Sequence, residues 1–401
     1  MSLSRDVWRI IWICILRIRL LRRGSRENES DIKLLLNGVY AQLREKEVYN
    51  QGLFGFGITD GATPNAFNWG TDEVFNKLGA GRLSSSDGGV VTYRWKRCYE
   101  IISRANYLLA CMDLVDLSEE AKAKYSGETH FLRGLAYSVL AETYGGVPII
   151  LTNISTEEAR SLKRASLEET WQQALDDYEV AITNLGVDAP EPGRATKGAA
   201  LGMKMRAYLY QGKYKEVLSC VEQIDALKKY GLFHSYEGLF DPANENNKEV
   251  LFDIQYIEGE NSQGSYIDQY CGTGTGSWTR GSRYVPTDDL VAAYETIDGS
   301  PVDPENPYEN RDPRLGFTAV LPGSYFWGYR FPNYLYPGGA FNHAGNRLKH
   351  LSTRKYRIQD ESKLPPSGQS YINDIILRYA DVLLSKAEAI IETNGSVADA
   401  I

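Results

Sequence analysis

The chain has 401 residues, of which 43% are hydrophobic and 24% are charged, a balance typical of a folded protein with a sizeable core. Its net charge of −8 at pH 7 argues against nucleic acid as the main partner, because contacts with phosphates need a basic surface. A neutral ligand suits this charge better. Tyrosine is abundant, with 27 copies, and flat rings with a polar edge suit stacking against a sugar.

The amino-terminal segment, residues 1–29, is predicted to lie outside the fold. Its apolar run at residues 7–16 contains Arg9 and is shorter than the roughly 20 apolar residues that cross a bilayer. Most of the positive charge follows this run, whereas a signal peptide carries it before the run. We therefore expect residues 1–29 to be a damaged or mis-assigned signal region. The five cysteines form no C-x-x-C pair and indicate neither a disulfide scaffold nor a zinc site.

Helical periodicity predicts a scaffold built from three parts of the chain, residues 31–49, 94–226 and 374–401. The last part is predicted to contain a helix at residues 375–392 and the start of another. A terminal repeat helix without a partner leaves an apolar face exposed, so we expect that the carboxy terminus is truncated.

Two helical hairpins are predicted within the second part of the scaffold. The helices of the first lie at residues 95–113 and 118–144, with Ser118 as the N-cap of the second helix. The helices of the next hairpin lie at residues 167–185 and 195–211. Short connections between such helices favour antiparallel neighbours.

The end of the second hairpin carries part of a tetratricopeptide pattern. Tyr208, Gly212 and Tyr214 have the spacing at which glycine permits a tight turn between antiparallel helices and the tyrosines fill the groove. We therefore predict a mainly α fold, a tetratricopeptide-like helical-hairpin scaffold that carries an irregular, loop-rich subdomain with a few short strands.

The predicted subdomain comprises residues 50–93 and 227–373, which are rich in Gly, Pro, Asn and Tyr. They contain one clear strand pattern at residues 249–256 and one short helical pattern at residues 286–295. Long loops in a compact protein are usually functional or disordered, and the many aromatic residues favour order here. We expect this subdomain to form a ligand-binding face.

Five motifs follow one another between about residue 30 and the end of the chain. Four are His130-Phe131-Leu132-Arg133-Gly134-Leu135-Ala136-Tyr137 with Tyr144-Gly145-Gly146-Val147-Pro148, Gly193-Arg194-Ala195-Thr196-Lys197-Gly198-Ala199-Ala200, Asn244-Glu245-Asn246-Asn247-Lys248-Glu249-Val250, and Leu377-Arg378-Tyr379-Ala380-Asp381-Val382-Leu383-Leu384. The most informative is Asp288-Asp289-Leu290-Val291-Ala292-Ala293-Tyr294-Glu295, followed by Asp298-Gly299 and Asn310-Arg311-Asp312-Pro313-Arg314-Leu315. In their order along the chain, these five motifs resemble those of the SusD/RagB family of nutrient-binding outer-membrane lipoproteins of Bacteroidetes.

The resemblance implies a non-catalytic protein that captures an oligosaccharide and delivers it to a SusC-like TonB-dependent transporter. It implies a location on the outer leaflet of the outer membrane, held there by a lipid anchor only, and no cofactor. The residues themselves indicate no metal site, because the acidic stretch from Asp298 to Asp312 lacks the ligand spacing of a calcium loop. Cys14 is the candidate for lipidation, although Ile13 stands where a small residue is expected. Some family members are associated with peptides, so a peptide-binding member remains an alternative. A tetratricopeptide-type protein-interaction scaffold is another.

Three polar-aromatic segments are predicted to contact the ligand. A sugar site needs an aromatic platform and planar amide or carboxylate groups that pair with hydroxyls. The alternative for each segment is an aromatic side chain that anchors a loop to the core, with polar residues that serve turns. The candidates are Asn65, Asn68, Trp69, Asp72 and Arg82 in the first segment, Trp278 and Arg280 in the second, and Trp327, Tyr329 and Tyr334 in the third.

No catalytic set is apparent in the sequence. His130, His234, His343 and His350 fall in no H-E-x-x-H pattern. We assign Trp95 to the core at the start of a helix. Arg311, Asp312 and Arg314 are expected to pin a loop, because an Arg-Asp pair beside a proline satisfies itself locally.

Overall fold

The computed structural model describes residues 28–44, 60–68, 77–84, 86–258, 264, 265, 267, 284–326, 329, 330, 351–358, 360–365 and 369–400. Within these residues the chain is mainly helical, with eight short strands in four two-stranded sheets, which confirms the predicted mainly α fold. The helices are α1 (Glu29–Tyr40), α2 (Val90–Met112), α3 (Glu119–Tyr144), α4 (Thr156–Ser161), α5 (Leu167–Asn184), α6 (Lys197–Leu209), α7 (Tyr214–Ala226), α8 (Asp288–Ala293), α9 (Pro313–Thr318), α10 (Tyr379–Glu392) and α11 (Val397–Ala400). The strands are β1 (Ala66–Asn68), β2 (Val250–Ile254), β3 (Tyr284–Pro286), β4 (Ala319–Val320), β5 (Tyr325–Phe326), β6 (Tyr329–Arg330), β7 (Ser352–Thr353) and β8 (Asp374–Arg378).

Capping side chains fix where the long helices begin. At the start of α3, the Ser118 hydroxyl accepts a hydrogen bond from the backbone N–H of Ala121 at 3.1 Å, as predicted for this residue. At the start of α5, Ser166 and Glu169 form a capping box with bonds of 3.1 and 2.7 Å. Each cap satisfies backbone donors that the first helical turn leaves without a partner.

Helices α3 and α5 pack closely because a glycine lies at their contact. A Cβ atom on Gly134 would lie 3.0 Å from the Tyr178 ring and 3.1 Å from the carbonyl oxygen of Ala174. Next to this contact, the buried guanidinium of Arg133 donates to both carboxylate oxygens of Asp177 and, at 2.7 Å, to the side-chain oxygen of Asn106 on α2. One side chain therefore ties three helices together.

The turn between α6 and α7 confirms the predicted role of Gly212. This residue has a φ of 66°, a conformation that side chains with a Cβ rarely adopt. The backbone N–H groups of Gly212 and Lys213 donate to the carbonyls of Leu209 and Tyr208, which closes the turn within a few residues. The two helices consequently lie antiparallel, as in a tetratricopeptide hairpin.

The predicted helix at residues 375–392 is wrong at its beginning. Residues Asp374–Arg378 form β8, which pairs antiparallel with β2, and the helix α10 starts only at Tyr379. Ile375 and Ile376 suit a strand, and the backbone N–H of Tyr379 donates to the carbonyl of Glu249 at 2.8 Å, which ends the ribbon. Beyond it, α10 joins the scaffold through an ion pair of 2.6 Å between Asp381 and Arg206 on α6.

Most of the described residues between 60 and 84 and between 284 and 372 form turns, short ribbons and short helices, which we call the loop-rich part. A small apolar cluster, the satellite core, lies within it and consists of Val320, Phe326, Ile358, Leu364 and Ile372. The main core instead lies among the helices and extends to β2 and β8. The β2–β8 ribbon therefore stands between the scaffold and the loop-rich part.

Candidate functional site

The first two predicted ligand segments attach to one antiparallel ribbon. Asn68 on β1 pairs with Tyr284 on β3, and Phe67 pairs with Val285. Trp69 and Asp72 follow Asn68 in the sequence, whereas Trp278 and Arg280 precede Tyr284. These four candidates lie outside the described residues. The pairing of Asn68 with Tyr284 joins the chain positions to which both segments are attached.

Thr287 fastens this ribbon to the start of α8. Its hydroxyl accepts from the backbone N–H of Leu290 at 3.1 Å as the helix N-cap and also donates to the carbonyl of Pro64. Its backbone N–H donates to the carbonyl of Asn65 at 3.0 Å. The base of the ribbon is thus held by Thr287, the residue just before the most informative motif, and Asn65 itself is exposed to solvent.

Arg82 lies in a turn that packs against the segment before β1. Its backbone N–H donates to the carbonyl of Lys77 at 2.7 Å, and the backbone of Ala62 is close enough to contact a Cβ on Gly79 at 3.4 Å. An ion pair of 2.8 Å between Lys77 and Asp87 closes the turn. Hydrogen bonds from Lys77 and Ser84 lower the pKa of Asp87 to about 2. These contacts place Arg82 near the first segment. Its side chain is exposed and therefore accessible to a ligand.

The third predicted segment begins in the hairpin of β5 and β6. Tyr329 pairs with Phe326, which is 4% exposed and belongs to the satellite core. Trp327 and Tyr334 lie outside the described residues. Tyr325, which the sequence analysis did not single out, is 68% exposed and pairs with Arg330. Side chains of adjacent strand residues point to opposite faces, so a buried Phe326 implies an outward Tyr325.

A cleft of about 480 Å³ lies where the main core meets the satellite core. Tyr256 of the main core and Tyr371 beside the satellite core both line it. Most of its polar groups are acidic, and together they are Asp241, Glu245, Glu258, Asp360 and Lys363. Burial raises the pKa of Tyr371, and the nearby carboxylates raise it further. Carboxylates beside a tyrosine ring can accept hydrogen bonds from sugar hydroxyls or from a cationic group.

Sequence reasoning missed this cleft because its lining comes from two parts of the chain that are far apart in the sequence. Residues 241–258, 358–363 and 371 approach one another only through the β2–β8 ribbon and the satellite core. No local pattern marks them as neighbours. Their one shared signal in the sequence is a high density of acidic residues and tyrosines.

Two expectations about structural residues are met. Trp95 packs against Tyr99 and Tyr144 at the edge of the main core, with ring centroids 5.0 and 5.1 Å away. Its expected place at the start of the helix is wrong, because α2 already begins at Val90. Arg311 donates to the backbone carbonyls of Pro307, Val291 and Tyr294 at 2.5 to 2.6 Å and so pins the loop after α8. Asp312 pairs with Arg314, also as expected.

The part of the chain that the structure describes contains no group of three or more His, Cys, Asp or Glu side chains arranged to hold a metal ion. Its helices include none that is both long enough and apolar enough to cross a membrane. The candidate site is formed by exposed polar and aromatic groups on the loop-rich part and by the acidic cleft.

Two family models match successive parts of the chain. Residues 25–209 match the SusD-like model described as "Starch-binding associating with outer membrane". Residues 248–401 match the model of the SusD family, which also carries the name RagB. The β2–β8 ribbon and α8 fall in the second match, and the helical hairpins fall in the first.

Curated proteins and solved structures agree with these matches. SusD-like protein P25 of Formosa agariphila is 25% identical, over 87% of this chain and 74% of that protein. A SusD-like protein of Bacteroides ovatus is also 25% identical, but the aligned part of the chain spans only 56% of it. The crystal structure of a SusD-like carbohydrate binding protein from Bacteroides fragilis superposes with a TM-score of 0.79 at 27% identity, covering 92% of this chain and 75% of that one. The motifs, the helical-hairpin fold and both family matches show that the chain belongs to the SusD/RagB family.

Proposed function

We propose that this protein binds an oligosaccharide at the cell surface without cleaving it and passes it to a SusC-like TonB-dependent transporter. The observation that carries the proposal is the β1–β3 ribbon, in which Asn68 pairs with Tyr284. One polar-aromatic segment follows Asn68 in the chain and the other precedes Tyr284. Because Asn68 and Tyr284 are paired, both segments start from the same place in the fold, and Trp69 and Trp278 can contact the same ligand. Family membership supports the same function, since a solved relative is described as carbohydrate binding.

The chemistry of the described groups suits a sugar. Exposed Asn65 and Arg82 offer donors and an acceptor to hydroxyl pairs, and the exposed ring of Tyr325 offers an apolar face. Each sugar hydroxyl exchanges water for protein on binding, so the net gain per hydrogen bond is small and the affinity is modest. Together with Trp69, Asp72, Trp278, Arg280, Trp327 and Tyr329, these residues form the proposed binding face.

The proposed location is the outer leaflet of the outer membrane. Support comes from the family description, which refers to association with the outer membrane, and from Cys14 as the candidate for lipid attachment. We propose that the helical scaffold, residues 31–49, 94–226 and 374–401, presents its helix face to the transporter. The segments 50–93 and 227–373 then remain free to face the ligand. A stable contact of this kind buries roughly 1,200 Å² or more, which a broad helix face supplies more readily than loops do.

A second candidate ligand is a peptide with basic side chains. The acidic cleft favours it, because the cleft places Asp241, Glu245, Glu258 and Asp360 against the single cation Lys363 among the described lining residues. Lys363 already lies 3.7 Å from Asp360. A lysine or arginine side chain of a peptide would therefore find uncompensated carboxylates there.

Titration calorimetry of the chain against a panel of plant and host glycans and a panel of basic peptides tests the proposal. Analysis of the same solutions for shortened products accompanies each titration. We expect binding of at least one oligosaccharide with no shorter sugars released. Release of shorter sugars would place the protein among hydrolases, and binding of basic peptides alone would replace the sugar as the ligand.

A further inference from the structure

An open groove of about 450 Å³, which we call the scaffold groove, lies on the helical scaffold between α2, α3 and the end of α5. Leu109 and Met112 on α2 and Ala123 on α3 give it an apolar lining, and His130 on α3 and Asn184 on α5 also line it. The volume falls within the range of ordinary small-molecule sites. All of the described lining residues belong to the scaffold, so the groove is separate from the proposed ligand face.

The end of α5 reaches this groove because Gly127 leaves room for it. A Cβ atom on Gly127 would lie 3.0 Å from the Cβ atom of Asn184 and 3.0 Å from the side chain of Leu185. His130 follows Gly127 by three residues and therefore lies on the same side of α3, one helical turn further along. This close approach of the two helices brings Asn184 and His130 into one groove.

His130 is partly buried and presents one nitrogen without a partner. Its Nδ1 atom lies 2.8 Å from the backbone carbonyl oxygen of Ser126. A carbonyl oxygen can only accept, so Nδ1 carries the hydrogen and Nε2 of the neutral ring is an acceptor. Among the described residues nothing hydrogen-bonds to Nε2. Burial lowers the pKa of His130 below its ordinary value of 6.5, which keeps the ring neutral at pH 7.

Asn184 is the second polar group of the groove whose hydrogen bonds are unused. Its side chain is partly buried, and its carboxamide has no hydrogen-bond partner in the part of the chain that the structure describes. A carboxamide offers two donor hydrogens and an acceptor oxygen. Partly buried polar groups are normally paired with protein or water, so a ligand that supplies partners for both Nε2 and this carboxamide gains from binding here.

The charges that line the groove disfavour an anion. Asp113 and Lys122 form an ion pair of 2.9 Å, which already occupies the one cation of the described lining. Glu119 adds a further carboxylate. A neutral ring with adjacent hydroxyls suits the groove better, because one hydroxyl can donate to Nε2 and the next can pair with the carboxamide. The C–H face of such a ring can pack against Leu109 and Met112.

We propose that the scaffold groove is a second binding subsite, which takes a neutral sugar ring through Nε2 of His130 and the carboxamide of Asn184. This inference goes beyond the proposed ligand face and rests on the proposed function only in taking a sugar as the ligand class. Two separate subsites allow one protein molecule to retain two sugars at once.

NMR of the full chain with isotope-labelled histidine rings tests the subsite at about pH 7. The probes are the methyl glycosides of glucose, galactose and mannose. The variant His130→Phe identifies the signal of His130 by its loss, and His130→Gln serves the same purpose if the first variant does not fold. We expect at least one sugar to shift the Nε2 signal towards that of a hydrogen-bonded nitrogen. Half-saturation is expected on the order of 1 to 10 mM, because a few hydrogen bonds to a sugar give a small net gain.

The variant Asn184→Ala tests the second contact while His130 remains as the reporter. It should raise the half-saturating sugar concentration roughly fivefold, the effect of one lost hydrogen bond. Asn153, which is exposed and does not line the groove, provides the matched control, and Asn153→Ala should leave that concentration unchanged. An Nε2 signal that responds to none of the three sugars would overturn the subsite, and so would equal affinities in Asn184→Ala and the unmodified chain. Either result concerns the groove alone, because oligosaccharide binding at the ligand face is measured separately by calorimetry.

Discussion

Replacement of Arg133 by alanine is expected to destabilise the protein strongly. The side chains of Arg133 and Asp177 are 7% and 2% exposed, and their closest atoms are 2.7 Å apart. Removal of the guanidinium leaves a buried carboxylate without its cation and also deprives Asn106 of a donor. The loss of one partner from a buried ion pair typically costs about 3 to 5 kcal/mol of unfolding free energy. Because the network joins α2, α3 and α5, we expect a loss of this size in Arg133→Ala.

Urea unfolding followed by circular dichroism measures this loss. The exposed pair of Lys122 and Asp113, whose side chains are 47% and 70% exposed, serves as the control. Asp113→Ala should cost less than about 1 kcal/mol, because water screens that pair. The double variant Arg133→Met, Asp177→Leu should regain most of the stability, since apolar replacements leave no buried charge. The reasoning is refuted if Arg133→Ala is no more destabilising than Asp113→Ala.

Three further outcomes follow from the fold and the proposed face. Gly212→Ala should cost about 1 to 2 kcal/mol in urea unfolding because of the left-handed backbone, whereas Gly316→Ala, where φ is not positive, should cost less. An equal cost at both positions would contradict this. Tyr325→Ala should weaken oligosaccharide binding in calorimetry by about 1 to 3 kcal/mol, by analogy with stacking on nucleic acid bases, and leave the melting temperature unchanged. A lowered melting temperature with intact binding would show that Tyr325 is structural. Affinity purification from native outer membranes should recover a TonB-dependent transporter, and recovery of no barrel protein from intact cells would favour a free scaffold.

The helices were predictable because their signals are local. Caps and apolar periodicity lie within a few residues of each other, so the expected helices at 118–144 and 167–185 match Glu119–Tyr144 and Leu167–Asn184 closely. The tight turn at Gly212 could likewise be predicted from its spacing to Tyr208 and Tyr214. The error at residues 375–378 has the opposite cause. Their strand depends on backbone pairing with residues more than a hundred positions away, which leaves no mark in the local pattern.

The candidate site was predictable only in part, for the same reason. Asn65 and Asn68 stand out locally as polar residues beside Trp69, but their link to Tyr284 is a tertiary contact. Nothing in the sequence distinguishes Tyr325 from the other tyrosines. Its outward orientation follows from the burial of Phe326, the next residue of the strand. The cleft required two distant parts of the chain to meet. Sequence patterns therefore identify single segments, whereas the folded chain determines which segments can share a ligand.

The central claim, that the segments attached to the β1–β3 ribbon bind one oligosaccharide, is tested most directly on the variants Trp69→Ala and Trp278→Ala. Calorimetry and thermal unfolding are measured on both, with Tyr210→Ala as a control at an exposed tyrosine of the scaffold. Each tryptophan variant should lose about 1 to 3 kcal/mol of binding free energy while its melting temperature stays close to that of the unmodified chain. The control should change neither quantity. Unchanged affinity with a lowered melting temperature, the result expected for core residues that cost about 3 to 5 kcal/mol of stability when truncated, would contradict the claim.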